Sequence, residues 1–326
     1  MNSRKERLDG KVFVITGASS GAGRAIAIAC AEGGARIVLA SRNGPALDGL
    51  LEEIKALGAE AIAVPTDTRE AAQQGALVEA ARLCFGRIDV WVNNAGVLAA
   101  GALEDVPAGI NEAVIRTNLI GYVHGAQAVI PLFKYQGSGI LINNISVGGW
   151  LPTPYMAAYC ASKFGLKGFS EALRGELAAY PGIHVCDLFP AFLDTPGIQH
   201  AANYTGKVLR PAPPLYDPRQ VARAVVQLAA HPRNARALGL LPHLLHAAYL
   251  LFPGITRRVT GGMIRTYLRN ADPTVHTPGN VLETVDYGTA VDGGWRSTGL
   301  KPKPQTQRAA LAVVAGLAGL FLLGRR

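Results

Sequence analysis

The stretch Val12-Phe13-Val14-Ile15-Thr16-Gly17-Ala18-Ser19-Ser20-Gly21-Ala22-Gly23 holds the fold in outline. Its first five residues form a short apolar, β-branched run, suited to a strand buried on both faces. The glycine-rich turn that follows runs straight into a small-residue helix predicted over 24–33. Glycines in such a turn let the backbone approach a ligand. The helix N-terminus adds unpaired N–H groups and a partial positive charge, so a pyrophosphate suits the place. A GxxxGxG string by itself also fits an ordinary turn. Its position after the first buried strand of a domain is what points to a dinucleotide held by Thr16, Gly17, Ser19, Ser20, Gly21 and Gly23.

Outward from this turn, strand and helix patterns alternate. Strands are predicted at 36–40, 61–65, 88–93, 140–145 and 184–189, and helices at 45–57, 70–85, 111–133, 155–179 and 217–230. Pro45 suits a first helical position, and Asp217-Pro218 reads as a capped helix start. This alternation predicts an α/β fold, a doubly wound parallel sheet with helices on both faces. A seventh strand falls at 235–240 or in Ala290-Val291-Asp292-Gly293-Gly294. The shorter connection from the last helix favours the first. Beyond 235 the regularity fails: 238–252 is apolar but interrupted by Pro242, and 270–305 is rich in Gly, Pro, Thr and Asp. The expected organisation is one domain over 8–240, then an extension at 241–300 serving as substrate lid or membrane-associated segment. A polar linker at 301–308 and a hydrophobic tail helix at 309–324 complete it.

Of the 326 residues 49% are hydrophobic and 17% charged, which supports a sizeable core and excludes a disordered chain. The net charge of +9 admits nucleic acid, an anionic membrane or an anionic cofactor as partner. The basic residues are scattered and no nucleic-acid module is present, so no nucleic-acid partner is expected. Cys30, Cys84, Cys160 and Cys186 are far apart; Cys30, Cys84 and Cys186 sit in apolar contexts and read as core residues of a reducing compartment. His231, His243 and His246 lack a ligand set, and no metal is expected. The polar N-terminus carries no signal peptide pattern. Residues 309–324 are uncharged between Arg308 and Arg325-Arg326 and span ~24 Å as a helix, short of a ~30 Å hydrocarbon core unless the arginines snorkel. Two readings stand, a membrane anchor for a cytoplasmic catalytic domain, which is preferred, and an apolar helix docked on protein.

The end of the second strand bears Ser41-Arg42 where an acidic residue would accept the hydroxyls of an adenosine ribose. A small hydroxyl and a guanidinium suit a 2′-phosphate instead, so NADP(H) is preferred over NAD(H). Asn93-Asn94-Ala95-Gly96 follows the fourth strand, on the edge of a sheet that faces its cofactor crevice. The decisive set is Ser146, Tyr159 and Lys163. Tyr159 and Lys163 are four apart on one helix face. A phenol with a pKa of ~10 is a poor base at neutral pH, and a neighbouring ammonium lowers it. Ser146 can hold the substrate oxygen. Asn118 falls inside the long helix at 111–133, where an amide is awkward to bury without a role.

In these motifs, TGxxxGxG at 16–23, NNAG at 93–96 and a serine followed by YxxxK, in this order and spacing, the chain resembles the non-extended branch of the short-chain dehydrogenase/reductase family over about residues 8–240. The resemblance implies a Rossmann-type sheet and a catalytic tetrad of Asn118, Ser146, Tyr159 and Lys163. It implies further that Asp67 contacts adenine, that Asn93, Ala95 and Gly96 line the cofactor site, and that Asn118 holds a water relaying protons. Pro190 and Thr195 would lie near the nicotinamide, with Ala191 replacing the family's glycine between them. Relatives also suggest a homodimer through the helices at 111–133 and 155–179.

Tyr159 would then protonate a carbonyl oxygen oriented by Ser146 while hydride arrives from the cofactor. Apolar residues after Ser146 (Gly148, Gly149, Trp150, Leu151, Pro152) and over 192–216 (Phe192, Ile198, Tyr204, Leu209, Leu215, Tyr216) suit a pocket for a lipophilic alcohol or ketone; ordinary core and lid packing explains them equally. A non-catalytic NADP-binding scaffold at a membrane is the competing reading, and the intact Ser146, Tyr159 and Lys163 speak against it.

Overall fold

The computed structural model describes residues 8–296. The linker expected at 301–308 and the tail helix expected at 309–324 lie outside the described residues. In chain order the elements are β1 (Val12–Thr16), α1 (Gly21–Glu32), β2 (Arg36–Ser41), α2 (Gly44–Ala56), β3 (Ala61–Pro65), α3 (Ala71–Phe85) and β4 (Val90–Asn93). There follow β5 (Ala99–Ala100), α4 (Ala108–Ile115), a π-helical turn (Arg116–Ile120), α5 (Gly121–Gln136), β6 (Gly139–Asn144), α6 (Ala157–Glu176) and β7 (Ile183–Phe189). Last come β8 (Ala202–Asn203), α7 (Arg219–Ala230), β9 (Ala235–Ala237), α8 (Leu241–Leu251) and α9 (Pro253–Asn270).

Seven parallel strands form one sheet in the order β3-β2-β1-β4-β6-β7-β9. Strand alternation splits the core in two. Phe13 and Ile15 of β1 face one cluster with Ile26 of α1, Leu47 and Leu50 of α2 and Val225 of α7. Val12 and Val14 face the other with Leu77 of α3, Val129 and Phe133 of α5 and Leu173 of α6. The strand order reverses between β1 and β4, and in such sheets the crevice for ligands opens beyond the carboxyl ends of those strands.

The seventh strand is Ala235–Ala237, paired in parallel with Asp187–Phe189 of β7; Ala290–Gly294 forms no strand. The expected helix at 111–133 is three consecutive pieces, with Asn118 inside the π turn. The extension is more regular than its sequence suggested. Pro242 and Pro253 do not interrupt helices; they stand in the first turns of α8 and α9, where the missing N–H costs nothing. Cys84 is exposed in the last turn of α3 rather than in the core; Cys30, Cys160 and Cys186 are buried.

After α9 the chain returns across the sheet's carboxyl edge as an irregular strap, residues 271–296. It is tied down by Asn280 N–H on the His200 carbonyl (2.9 Å), by Gly21 N–H on the Ala290 carbonyl (2.9 Å) and by Gly293 N–H on the Asp194 carbonyl (3.0 Å).

Candidate active site

The carboxyl ends of the strands enclose a cleft of ≈ 390 Å³. Of the residues singled out above, Gly17, Ser19, Ser20, Gly21, Gly23, Ser41, Arg42, Asp67, Ala95, Gly96, Ser146, Tyr159, Lys163, Pro190 and Thr195 all line it. Thr16, Asn93 and Asn118 do not. At one end the glycine turn meets the start of α1, whose N-cap Ser20 makes no side-chain cap bond. Gly17 is required there: its φ is +65°, and a Cβ would fall 2.6 Å from the Cα of Ala95. At the other end stand Ser146, Tyr159 and Lys163. Gly148 lets them meet, since a Cβ on it would lie 2.8 Å from Cε1 of Tyr159.

The three residues outside the cleft have structural work. Asn93 was expected to touch cofactor, but it is buried: its Oδ1 accepts from Trp91 Nε1 (2.8 Å), and its Nδ2 donates to Asn143 Oδ1 (3.0 Å) and the Tyr122 carbonyl (3.2 Å). The network continues from Asn143 Nδ2 to Ser170 Oγ (3.0 Å), from Ser170 Oγ to Asp187 Oδ1 (2.7 Å), and ends in the Arg174 guanidinium on Asp187 Oδ2 (2.7 Å). The cause is strand alternation, which turns Asn93 inward and Asn94 toward the cleft. Thr16 Oγ1 donates to the Val92 carbonyl (3.2 Å) and accepts from the N–H groups of Asn94 (3.0 Å) and Ala95 (3.2 Å), which joins β1 to β4. Asn118 makes a reciprocal pair with Val97, accepting from its N–H and donating to its carbonyl, both at 2.8 Å. Its amide is thereby held to backbone at both ends, as a buried amide requires. It holds the loop beyond Gly96.

Asn144 and Asn94 take the roles the sequence reading missed. The Asn144 carbonyl accepts from Lys163 Nζ and from the Tyr122 hydroxyl, both at 3.1 Å. Asn144 Nδ2 donates to Asn94 Oδ1 (2.9 Å), and Asn94 Nδ2 donates to the carbonyls of Thr16 (3.0 Å) and Gly17 (3.2 Å). The lysine is thus linked to the glycine turn through two asparagines. A signal was in the sequence: Asn93-Asn94 and Asn143-Asn144 are matching doublets at the ends of adjacent strands, with Asn93 opposite Asn143.

Burial dominates the electrostatics of Tyr159 and Lys163. Burial raises the Tyr159 phenol to about 12, opposed by its hydrogen bond with the Ser146 side chain. Burial also draws the Lys163 ammonium down to about 7. Desolvation is the largest cause at both groups, since burial disfavours the charged form of each. Lys163 Nζ lies 5.0 Å from the Tyr122 ring centroid and 5.8 Å from that of Tyr159.

At the β2 end, Arg42 donates to the carbonyls of Asn280 (2.6 Å), Leu282 (3.0 Å) and Val281 (3.4 Å) of the strap. Burial, then the charge of Arg69, lowers its pKa, with Asp67 opposing. Burial raises that of Asp67, but the Arg69 hydrogen bonds and the charges of Arg69 and Arg42 outweigh it and hold the carboxyl below its ordinary value. The strap adds Thr284, Val285, Tyr287 and Thr289 to the lining, and nothing in their local sequence marks them. Of the expected substrate residues, Gly148, Leu151, Phe192 and Ile198 line the cleft. Trp150 instead stacks on Phe189 (3.9 Å) and His246 (4.4 Å).

These residues fit a nicotinamide dinucleotide. Asn144 Oδ1 and Thr117 Oγ1 are buried polar atoms without a partner, and both residues line the cleft. The glycine turn provides backbone approach for a pyrophosphate, and Lys163 retains N–H donors beyond the one given to Asn144.

A seven-stranded parallel sheet, a glycine turn before α1 and a Ser-Tyr-Lys set at the crevice define a dinucleotide-dependent oxidoreductase class. A family model described as short chain dehydrogenase matches residues 11–204. An uncharacterized oxidoreductase of Bacillus subtilis, YxnA, is 36% identical over 259 residues, 78% of this chain and 72% of that protein. The ketoacyl reductase HetN of Nostoc is 32% identical over 220 residues, 68% and 75% of the two chains. Among solved structures, a short chain dehydrogenase/reductase of Burkholderia phymatum in complex with NAD superposes with a TM-score of 0.65 at 29% identity, covering 83% of this chain and 99% of that one. An alcohol dehydrogenase of Thermococcus sibiricus complexed with 5-hydroxy-NADP gives 0.61 at 26%, covering 71% and 95%. The chain belongs to the short-chain dehydrogenase/reductase family of oxidoreductases.

Among the described residues no helix is long and apolar enough to cross a membrane, and no group of three or more His, Cys, Asp or Glu could hold a metal ion.

Proposed function

We propose that the chain interconverts a carbonyl and an alcohol with NADP(H), on a lipophilic substrate. The observation that carries this reading is the convergence of Ser146, Tyr159 and Lys163 at one end of a cleft whose other end is the glycine turn. When bound, a nicotinamide cofactor supplies or accepts the hydride. Tyr159, with its pKa raised to about 12, holds its proton at neutral pH, which suits it to protonate a carbonyl oxygen in the reducing direction. Ser146 orients that oxygen through its hydroxyl. Lys163 and Asn144 would hold ribose hydroxyls, and the lysine's charge, present below about pH 7, would favour proton movement at the phenol. Asn118 keeps the 95–97 loop in place and is a positioning residue.

The NADP(H) preference rests on the Arg42 cation at the end of β2, beside Ser41 and with no carboxylate at either position. The two solved neighbours carry NAD in one case and an NADP derivative in the other, so they do not divide the choice. A lipophilic substrate is supported by Leu151, Met156, Phe192, Ile198 and Leu245 around the Tyr159 end. The test is a panel of ketones, aldehydes and alcohols assayed with both cofactors, alongside Tyr159→Phe. We expect turnover with hydrophobic carbonyls and NADPH, and its loss in Tyr159→Phe with nucleotide binding retained. Near-normal turnover in that variant would overturn the mechanism.

A further inference from the structure

The helix pair α8–α9 presents an apolar surface for which the fold has no use. Of the seventeen large hydrophobic side chains exposed among the described residues, seven fall between 240 and 263: Leu240, Leu244, Leu250, Leu251, Ile255, Val259 and Met263. Their spacing is helical. Leu240, Leu244 and Leu251 lie along one face of α8 with exposed Ala247 between them, and Ile255, Val259 and Met263 recur every fourth residue on α9. The opposite side of α8 is fixed to the cleft rim, with Leu245 lining the cleft and His246 stacked on Trp150 at 4.4 Å.

The charge of this region is equally one-sided. From Pro218 to Ala271 the sequence has no Asp or Glu and eight arginines, against a net charge of +9 for the whole chain. Four of them, Arg257, Arg258, Arg265 and Arg269, are exposed on α9, and none enters an ion pair among the described residues. Exposed leucines beside unpaired arginines match an interfacial helix, whose apolar face enters the acyl boundary while its cations meet anionic headgroups. The eleven residues of α8 span ~16 Å, too short for a ~30 Å hydrocarbon core but suited to lying along its surface. A second copy would set arginine-bearing faces against each other. Residues 309–324, flanked by Arg308, Arg325 and Arg326, would likewise add positive charge to a positive surface.

We propose that α8 and α9 dock on an anionic phospholipid bilayer, bringing the Leu245 rim of the cleft to the membrane. That a lipophilic substrate then passes from bilayer to cleft rests on the function proposed above; the docking itself does not.

The test uses the full chain in a Cys84→Ser background with Leu251→Cys labelled by a polarity-sensitive fluorophore, and Glu52→Cys on α2 as control. Phosphatidylcholine vesicles with and without phosphatidylserine are titrated in low and high salt. We expect the label at 251 to shift to the blue with anionic vesicles only, the shift to reverse in high salt, and the label at 52 to stay unchanged. Arg257→Glu combined with Arg258→Glu should weaken vesicle binding at least tenfold, with thermal unfolding unchanged as the check on folding. Vesicle binding with a water-exposed label at 251 would overturn the proposal, because contact would then be made elsewhere. So would equal binding to vesicles lacking phosphatidylserine. A label already shielded without vesicles would also overturn it, pointing to a second copy if dilution exposes it and to another part of the same chain if dilution does not. None of these readouts needs turnover, so failure of the oxidoreductase reading is scored separately.

Discussion

Replacing Lys163 with methionine separates what the site needs from what the fold needs. Burial pulls this lysine from its ordinary 10.5 to about 7, while the unfolded chain keeps the ordinary value. Between those two values unfolding takes up a proton, so the lysine's contribution to stability rises with pH across that window. Below about pH 7 both states are protonated and the full cost of burying the charge remains. At pH 7 that cost is about 4 kcal/mol. Methionine removes it, but forfeits the hydrogen bond to the Asn144 carbonyl and the contact with the Tyr122 ring, about 1–2 kcal/mol together. The net expectation is a variant more stable by about 2 kcal/mol at pH 7, with Tm higher by about 3 °C. The advantage shrinks as pH rises and is gone near 10. Thermal unfolding of the nucleotide-free protein at pH 6.5, 7.5 and 9 measures it, and activity should be lost throughout. A variant that melts below the parent at pH 6.5 and 7.5, or a gap that does not change with pH, would refute the reasoning.

Three other outcomes follow from particular contacts. Arg42→Ala should weaken NADPH binding about tenfold or more and NADH binding far less, because a guanidinium–phosphate pair is lost only with the first; equal losses in binding titrations would remove the phosphate role. Asn93→Leu leaves the Trp91 indole N–H and Asn143 without their partner and should destabilise the fold by about 2 kcal/mol in denaturant unfolding, with nucleotide affinity nearly unchanged. Arg296→Ala takes one partner from the buried Asp194 carboxylate, next to Thr195 of the cleft, and should raise KM for nucleotide more than it lowers kcat; an unchanged KM would show that the strap does not shape that wall.

The sheet was legible in the sequence because its signals are local. An apolar run such as 12–16 and a capped start such as 217–218 are decided by a few neighbouring residues, and the parallel topology follows from their alternation. What alternation along a strand does to each side chain was harder to see. Asn93 and Asn94 look interchangeable as sequence, yet one anchors a buried network and the other reaches the cleft. The strap was illegible for a different reason. Part of its hold on the sheet edge is backbone, carbonyls of 280–282 on Arg42 and the Val285 carbonyl on Asn43 Nδ2, which impose no residue type on the strap. Its side-chain ties, Asp292 to Arg219 and Arg296 to Asp194, join residues far apart in the sequence. Pro242 misled because proline breaks a helix only in its interior, and position within the helix is what the apolar pattern of 238–252 left undecided.

The departures from ordinary local rules gather at one end of the cleft, which is itself an argument about function. Among the described residues only Ser146 and Tyr155 have positive φ without being glycine. Ser146, at φ 97° and ψ 157°, occupies a region open almost solely to glycine, at a cost of about 1–3 kcal/mol. The π-helical turn falls on Asn118, and the buried lysine is Lys163. The Ser146 backbone and the buried Lys163 each cost the folded chain stability, and neither is needed to close the two clusters that flank the sheet. Strain tolerated at scattered points would be ordinary drift. Strain gathered around a serine, a tyrosine and a lysine that share one crevice is what a site retains when its geometry serves chemistry rather than stability.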